Sequence, residues 1–183
     1  AKNLLHNDFL IGLMDCNTPD CAKERYRQMS ERFASLAEHD SQFSYIFKAY
    51  AALSQVLSKK ATYGKRLYKA YQEKDPDMLR KLLDELAEIK VDLKNFYDRL
   101  RELWLKENKS FGFEVLDVRI GGLIARADTV AIILNDYLNG QTDKIYELEE
   151  VRLEYNNGQN LKGNDRYALY HNIWTTTYSA NVI

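Results

Sequence analysis

The sequence predicts an all-α protein, an elongated antiparallel helical bundle with several long helices and an extended C-terminal tail. Three observations carry that reading. Apolar residues recur at alternating steps of three and four over stretches of about thirty residues, which places them on one face of a helix. Glycine and proline are scarce, 8 and 2 in 183 residues, whereas sandwiches and barrels need frequent turn residues. The connections between the long runs are short, which leaves antiparallel packing as the available arrangement.

Residues 3–15 read as a short helix, with Asn3 as its cap and Leu4, Leu5, Phe9 and Leu13 turned inward. Thr18-Pro19-Asp20 is a start signal. A hydroxyl can accept from a free amide, a proline loses nothing in the first turn, and an acid favours the positive end of the helix dipole. Ala22, Tyr26, Met29, Phe33 and Leu36 follow, so a second helix runs to about His39. Asp40 or Ser41 starts a much longer one. In it Phe43, Ile46, Tyr50, Leu53, Leu57, Gly64, Leu67 and Tyr71 hold a seven-residue register broken only by Lys60, with Phe47, Ala61 and Tyr68 on an offset line. Lys59, Lys60, Lys65, Arg66 and Lys69 make its second half basic. They read as a solvated face whose aliphatic stems cover apolar neighbours.

Asp75-Pro76 repeats the cap-plus-proline device and opens the clearest helix. Leu79, Leu82, Leu86, Ile89, Leu93, Phe96, Leu100 and Leu103 alternate without a break, flanked by Leu83, Tyr97 and Trp104. After Asn108-Lys109-Ser110 comes a helix with two apolar lines, ending near Asn139-Gly140. One line is Phe113, Leu116, Ile120, Leu123, Ala127, Val130, Leu134 and Tyr137; the other is Val115, Val118, Gly122, Ala125, Thr129 and Ile132. Two adjacent lines predict a helix covered by neighbours over most of its girth, with Asp117, Arg119, Arg126 and Asp128 close to buried surface. Thr142 or Asp143 caps a sixth element containing Ile145, Leu148, Val151 and Tyr155. An exposed loop over 156–165, a last short helix holding Tyr167, Tyr170 and Trp174, and an extended tail over 175–183 complete the chain. Residues 1–183 read as a single helical domain.

A net charge of −1 gives no general pull toward nucleic acid or an anionic membrane, and neither is read as a partner. No apolar run is long enough to span a bilayer, and no charged-then-apolar leader opens the chain. The first residue is Ala1, so the chain reads as processed or as an excised fragment. Cys16 and Cys21 read as ordinary thiols, with a local disulfide as the alternative, which favours a cytoplasmic over a secreted location.

Helical bundles can hold metals on inward Glu-x-x-His pairs, but the sequence has none. His6, His39 and His171 are far apart in sequence and read as surface or partly satisfied residues. No phosphate-cradling glycine loop, serine elbow or zinc-protease helix occurs. No catalytic residue, metal ligand or cofactor is assigned. The Gly121-Gly122 pair costs roughly 1 kcal/mol per glycine inside a helix. Close approach of another helix explains it most simply, and room for a partner chain or ligand beside Asp117 and Arg119 is the alternative. Trp174 reads as a core or interface anchor, or as a platform for stacking a sugar.

The run Trp104-Leu105-Lys106-Glu107-Asn108-Lys109-Ser110-Phe111-Gly112-Phe113-Glu114-Val115-Leu116-Asp117-Val118-Arg119-Ile120-Gly121-Gly122-Leu123, with Glu147-Leu148-Glu149-Glu150 and Trp174 to Ile183, resembles a known family. It is similar to the C-terminal helical domain of certain bacterial β-N-acetylhexosaminidases of glycoside hydrolase family 20. The resemblance implies an accessory domain that follows a catalytic (β/α)8 barrel. In that barrel an Asp-Glu pair assists the substrate's own acetamido group, an exception to the two-carboxylate scheme. Asp84-Glu85 is the wrong kind of Asp-Glu pair, since it sits on a helix and outside its core register. The resemblance further implies a homodimer in which the domain buttresses or borders the barrel's sugar pocket. Asp117, Arg119, Gly121, Gly122 and Trp174 are then the residues expected near a ligand or an interface. A free-standing helical scaffold that binds a partner protein is the rival reading.

Overall fold

The computed structural model describes residues 1–40 and 42–150. Its helices are α1 (Lys2–His6), α2 (Ala22–His39), α3 (Ser44–Lys60), α4 (Tyr63–Gln72), α5 (Pro76–Glu107), α6 (Phe113–Leu138) and α7 (Tyr146–Glu149). The longer helices pack antiparallel, and there is no strand among the described residues. The expected loop over 156–165, the helix around Trp174 and the extended tail lie outside the described residues.

α5 is the spine. Asp75 caps it, its carboxylate accepting from the amides of Asp77 and Met78 at 3.1 and 2.9 Å, with Pro76 in the first turn. Its 32 residues extend about 48 Å. Leu79, Leu82, Leu86, Ile89 and Leu93 are each no more than 1% exposed. α3 and α4 pack on one side of it and α6 on the other. Cross-links run along both seams: Lys59 to Glu88 and Asp92 at 2.9 Å each, Tyr97 to Asp117 at 2.6 Å, and Tyr63 to the Leu82 carbonyl at 3.1 Å.

Three elements differ from the sequence reading. The expected helix over 3–15 is the short α1 followed by a non-helical stretch and a 3-10 turn at Asp15–Asn17. Leu5, Phe9 and Leu13 are nevertheless buried, because this segment folds across α3, α4 and α6 rather than along one of them. The Thr18-Pro19 signal lies short of α2, which begins at Ala22. The Thr18 hydroxyl donates back to the Met14 carbonyl at 2.8 Å instead of capping the helix. The long third helix is two helices, divided at Ala61 and Thr62. The division coincides with the arrival of Phe9 against Tyr63, edge to face at 5.6 Å. It also puts Gly64 so near Asp15 and the Phe9 carbonyl that a Cβ there would lie 2.9 and 3.1 Å from them.

α2 packs on α3 and has only Ala22 buried. Its Ser30 hydroxyl donates to the Ala51 carbonyl, and Ser44 on α3 donates to the Ala37 carbonyl. The outer face of this hairpin carries Met29, Leu36, Phe43 and Tyr50, all exposed, with the Phe33 and Tyr50 rings stacked at 5.4 Å. Cys16 and Cys21 are exposed and are not joined in a disulfide. No described helix is long and apolar enough to cross a membrane.

Candidate functional site

The run that opens α6 builds a tight corner. Gly112 takes φ +91°, a conformation that side-chain-bearing residues rarely adopt, and this turns the chain from α5 into α6. Its amide donates to the Glu114 carboxylate at 2.7 Å. The Trp104 indole donates to the Lys109 carbonyl at 2.9 Å and meets the Phe113 ring at 5.9 Å. Tyr97 lies 6.0 Å from Phe113, and the Arg101 guanidinium sits 4.9 Å over the Tyr97 ring. The residues of this corner therefore have structural work, fixing the angle at which α6 leaves α5.

Beyond the corner, one turn covers 3.6 residues, so side chains advance about 100° per residue. That step sends Asp117 and Asp128 to one flank of α6 and Arg119 and Arg126 to the other. The acidic flank meets α5. Asp117 accepts from the Tyr97 hydroxyl, a bond that pushes the phenol above its ordinary range, and Asp128 accepts from Lys90. The basic flank meets the N-terminal segment. Arg126 donates to both Asp8 carboxylate oxygens at 2.9 and 3.3 Å and lies 3.6 Å from Glu147. Arg119 sits near His6, close enough for its charge to lower that imidazole's pKa. Asp117 and Arg119 are thus not brought together; each serves a different seam.

Between the flanks, the outward face of α6 is apolar and open. Val115, Val118 and Ile132 are 54%, 60% and 62% exposed, and Phe111, just before the helix, is 83% exposed. Gly121, Gly122, Ala125 and Thr129 are also exposed on this helix. The second apolar line is therefore not covered by neighbours among the described residues, contrary to the expectation that α6 is sheathed over most of its girth. α5 and the N-terminal segment grip it from opposite sides, and among the described residues no further helix closes over the top. No described helix approaches the glycine pair closely either: among the described residues, a Cβ at either position meets nothing within 4 Å. Trp174 lies outside the described residues.

The cluster that sequence reasoning missed is the polar layer beneath the N-terminal segment. Lys60, expected on a solvated face, is buried. Its ammonium donates to the Asn7 carbonyl and lies 4.4 Å from the Phe9 ring centroid. Burial pushes it down to about 8, against the raising influence of Asp8 and Asp15. Burial also acts to raise Asp8, but the hydrogen bond and charge of Arg126 and the amides of Ile11 and Leu10 hold its carboxyl below the usual range. Asn7 joins the layer by donating to Asp15 at 2.9 Å. His6 is buried too, not at the surface, and burial followed by the charges of Arg119, Lys60 and Lys2 lowers it to about 4. The one signal in the sequence was Lys60 interrupting an apolar register.

Elsewhere a cleft of about 760 Å³ lies between α2, α3 and α5, with Lys23, Arg27, Lys59, Lys81, Glu85 and Glu88 among its walls. Its charges largely neutralise one another through pairs such as Lys59–Glu88, and no aromatic ring lines it. Among the described residues no cluster of three or more His, Cys, Asp or Glu side chains is placed to hold a metal ion.

No curated protein matches the chain. The family model of the glycoside hydrolase 20C C-terminal domain matches residues 1–168, more than nine-tenths of the sequence. With its helical fold and the corner built by the Trp104–Leu123 run, the chain belongs to the glycoside hydrolase 20C C-terminal domain family.

Proposed function

We propose that this domain is the accessory part of a β-N-acetylhexosaminidase-like family 20 enzyme, and that its outward α6 face pairs two copies and borders the sugar pocket of the catalytic barrel. The observation that carries the reading is that open apolar face, held at a fixed angle by ion pairs on both flanks. Isolated apolar residues on a surface are ordinary. A line of them along one helix, rimmed by charges, marks a place where another surface packs. The glycine pair fits the same role, because without side chains the α6 backbone is open to close approach from outside. The chemistry belongs to the barrel, and the domain contributes shape and rigidity.

Light scattering of the 183-residue chain at micromolar concentration tests the pairing. A dimer that Val118→Asp converts to monomer supports it; a strict monomer removes pairing by the isolated domain. Adding the chain to its separately produced barrel and following turnover of a chromogenic N-acetylglucosaminide tests the second half. The domain alone cleaves nothing, and domain plus barrel exceeds barrel alone. Turnover that scales with domain concentration after repurification overturns the accessory role. The exposed strip on the α2–α3 hairpin is the observation that favours the rival scaffold reading, since it offers a partner a second apolar surface.

A further inference from the structure

The first eighteen residues are attached to the bundle in an unusual way. α1 has five residues, and the stretch after it contains only the 3-10 turn, so little of the attachment comes from helix-on-helix packing. The segment is nonetheless buried through Leu5, His6, Phe9, Leu10 and Leu13. Its attachments reach three different helices: Lys60 on α3 donates to the Asn7 carbonyl, Arg126 on α6 donates to Asp8, and the Asp15 carboxylate packs closely against Gly64 on α4. Two further bonds shape the segment internally. Asp8 accepts from the amides of Leu10 and Ile11, and Asn7 accepts from that of Met14.

His6 is the odd member of this layer. It is 4% exposed, and its Nδ1 is buried with no hydrogen-bond partner among the described residues. The charges acting on it are all positive: Lys2 from α1, Lys60 from α3 and Arg119 from α6. The nearby carboxylates are already engaged, Asp8 by Arg126 and Asp15 by Asn7. A proton on the imidazole adds a fourth positive charge where burial already opposes any charge. Detaching the segment lets His6 reach water.

We infer that residues 1–18 form an acid-released strap, which leaves its seat on α3, α4 and α6 when His6 takes a proton while α5 and the helices around it remain folded. The sign follows from where the proton goes. The detached strap protonates His6 at its ordinary 6.5 and the seated one only at about 4. Between those values the detached form binds more protons, so falling pH favours detachment, and below about 4 the effect levels off. From pH 7.5 to pH 4.5 the detachment equilibrium rises on the order of 50-fold.

Amide hydrogen exchange of the 183-residue chain, corrected for the intrinsic effect of pH on exchange, reads this directly. The reporters are Leu10, Ile11 and Met14, and the references are Leu86 and Ile89 at the centre of α5. The expected result is a fall of that order in reporter protection between pH 7.5 and 4.5, with the references unchanged. His6→Gln removes the pH dependence. Equal loss at reporters and references, reporter protection that ignores pH, or an unaltered pH response in His6→Gln each overturns the strap. Should the variant misfold, the His6 ring signals of the unaltered chain decide. Titration below pH 5, in step with the loss of reporter protection, supports the strap, and a midpoint near 6.5 sinks it.

Discussion

Lys60 shows how a single side chain can contradict a pattern without disturbing it. The four other residues of the basic half do what basic residues on a helix face do, Lys59 pairing with Glu88 and Asp92, Lys65 with Asp20, Arg66 with Glu85 and Lys69 with Glu73. Lys60 turns inward instead, to a carbonyl 53 positions earlier in the chain. Helical spacing reports which face a residue occupies, not whether a non-helical segment will later cover that face. The polar layer was therefore illegible beyond the break at Lys60. Its cost has a measurable signature. The unfolded chain holds the Lys60 proton to about 10.5 and the folded chain only to about 8. In that window the unfolded state binds more protons, so the lysine's contribution to stability rises with pH. Urea unfolding at pH 7.5 and 9.5 is expected to show a gain of about 1–2 kcal/mol from this group, absent in Lys60→Gln. At Asp8 the substitution Asp8→Asn leaves the half-buried Arg126 with Glu147, at 3.6 Å, as its one acidic partner among the described residues. It should lower stability at pH 7 by about 2–4 kcal/mol in the same measurement.

Among the helices, α6 combines good anchoring with poor intrinsic propensity. Its Gly121-Gly122 pair has no packing reason within the described residues, because a methyl group at either place meets open space. The prediction is therefore of opposite sign for two measurements. Gly121→Ala with Gly122→Ala should raise the stability of the monomeric domain by roughly 1 kcal/mol per site. The same pair should weaken association by tenfold or more if another surface approaches the bare backbone, a difference of about 1.4 kcal/mol. Gain in stability without loss of association would leave the glycines unexplained by any partner. At this scale the sequence was most readable where a helix had both a cap and an unbroken register. α5 begins at Pro76 as the Asp75-Pro76 device required, and its core residues are the predicted ones through Phe96. It was least readable where a start signal lacked a helix to start. The Thr18 hydroxyl donates back to the Met14 carbonyl, and α2 opens at Ala22 without it. The apolar line on α6 was legible as apolar, but periodicity cannot say whether the neighbour that covers it belongs to the same chain.

Taken whole, the described residues build one deep core along α5 and leave two apolar surfaces outside it, the α6 line and the strip on the α2–α3 hairpin. If the α6 face carries the pairing, Val118→Asp should leave the helical content of the domain unchanged, since Val118 is 60% exposed, while light scattering reports a monomer in place of a dimer. A matching change on the hairpin, Phe43→Asp, should spare the dimer, and loss of pairing there would move the interface. The flanking bonds add a mechanical consequence. Asp117, through the Tyr97 hydroxyl, holds α6 on one side of the glycine pair, and Arg126 and Asp128 hold it on the other. Each half is fastened to α5 at its own point, Tyr97 or Lys90, and the two residues between the clamps are the most pliable in the helix. Any load on the outward face is then taken up as a bend at Gly121-Gly122, so that α6 behaves less like a rod than like two stiff splints joined by a short flexure.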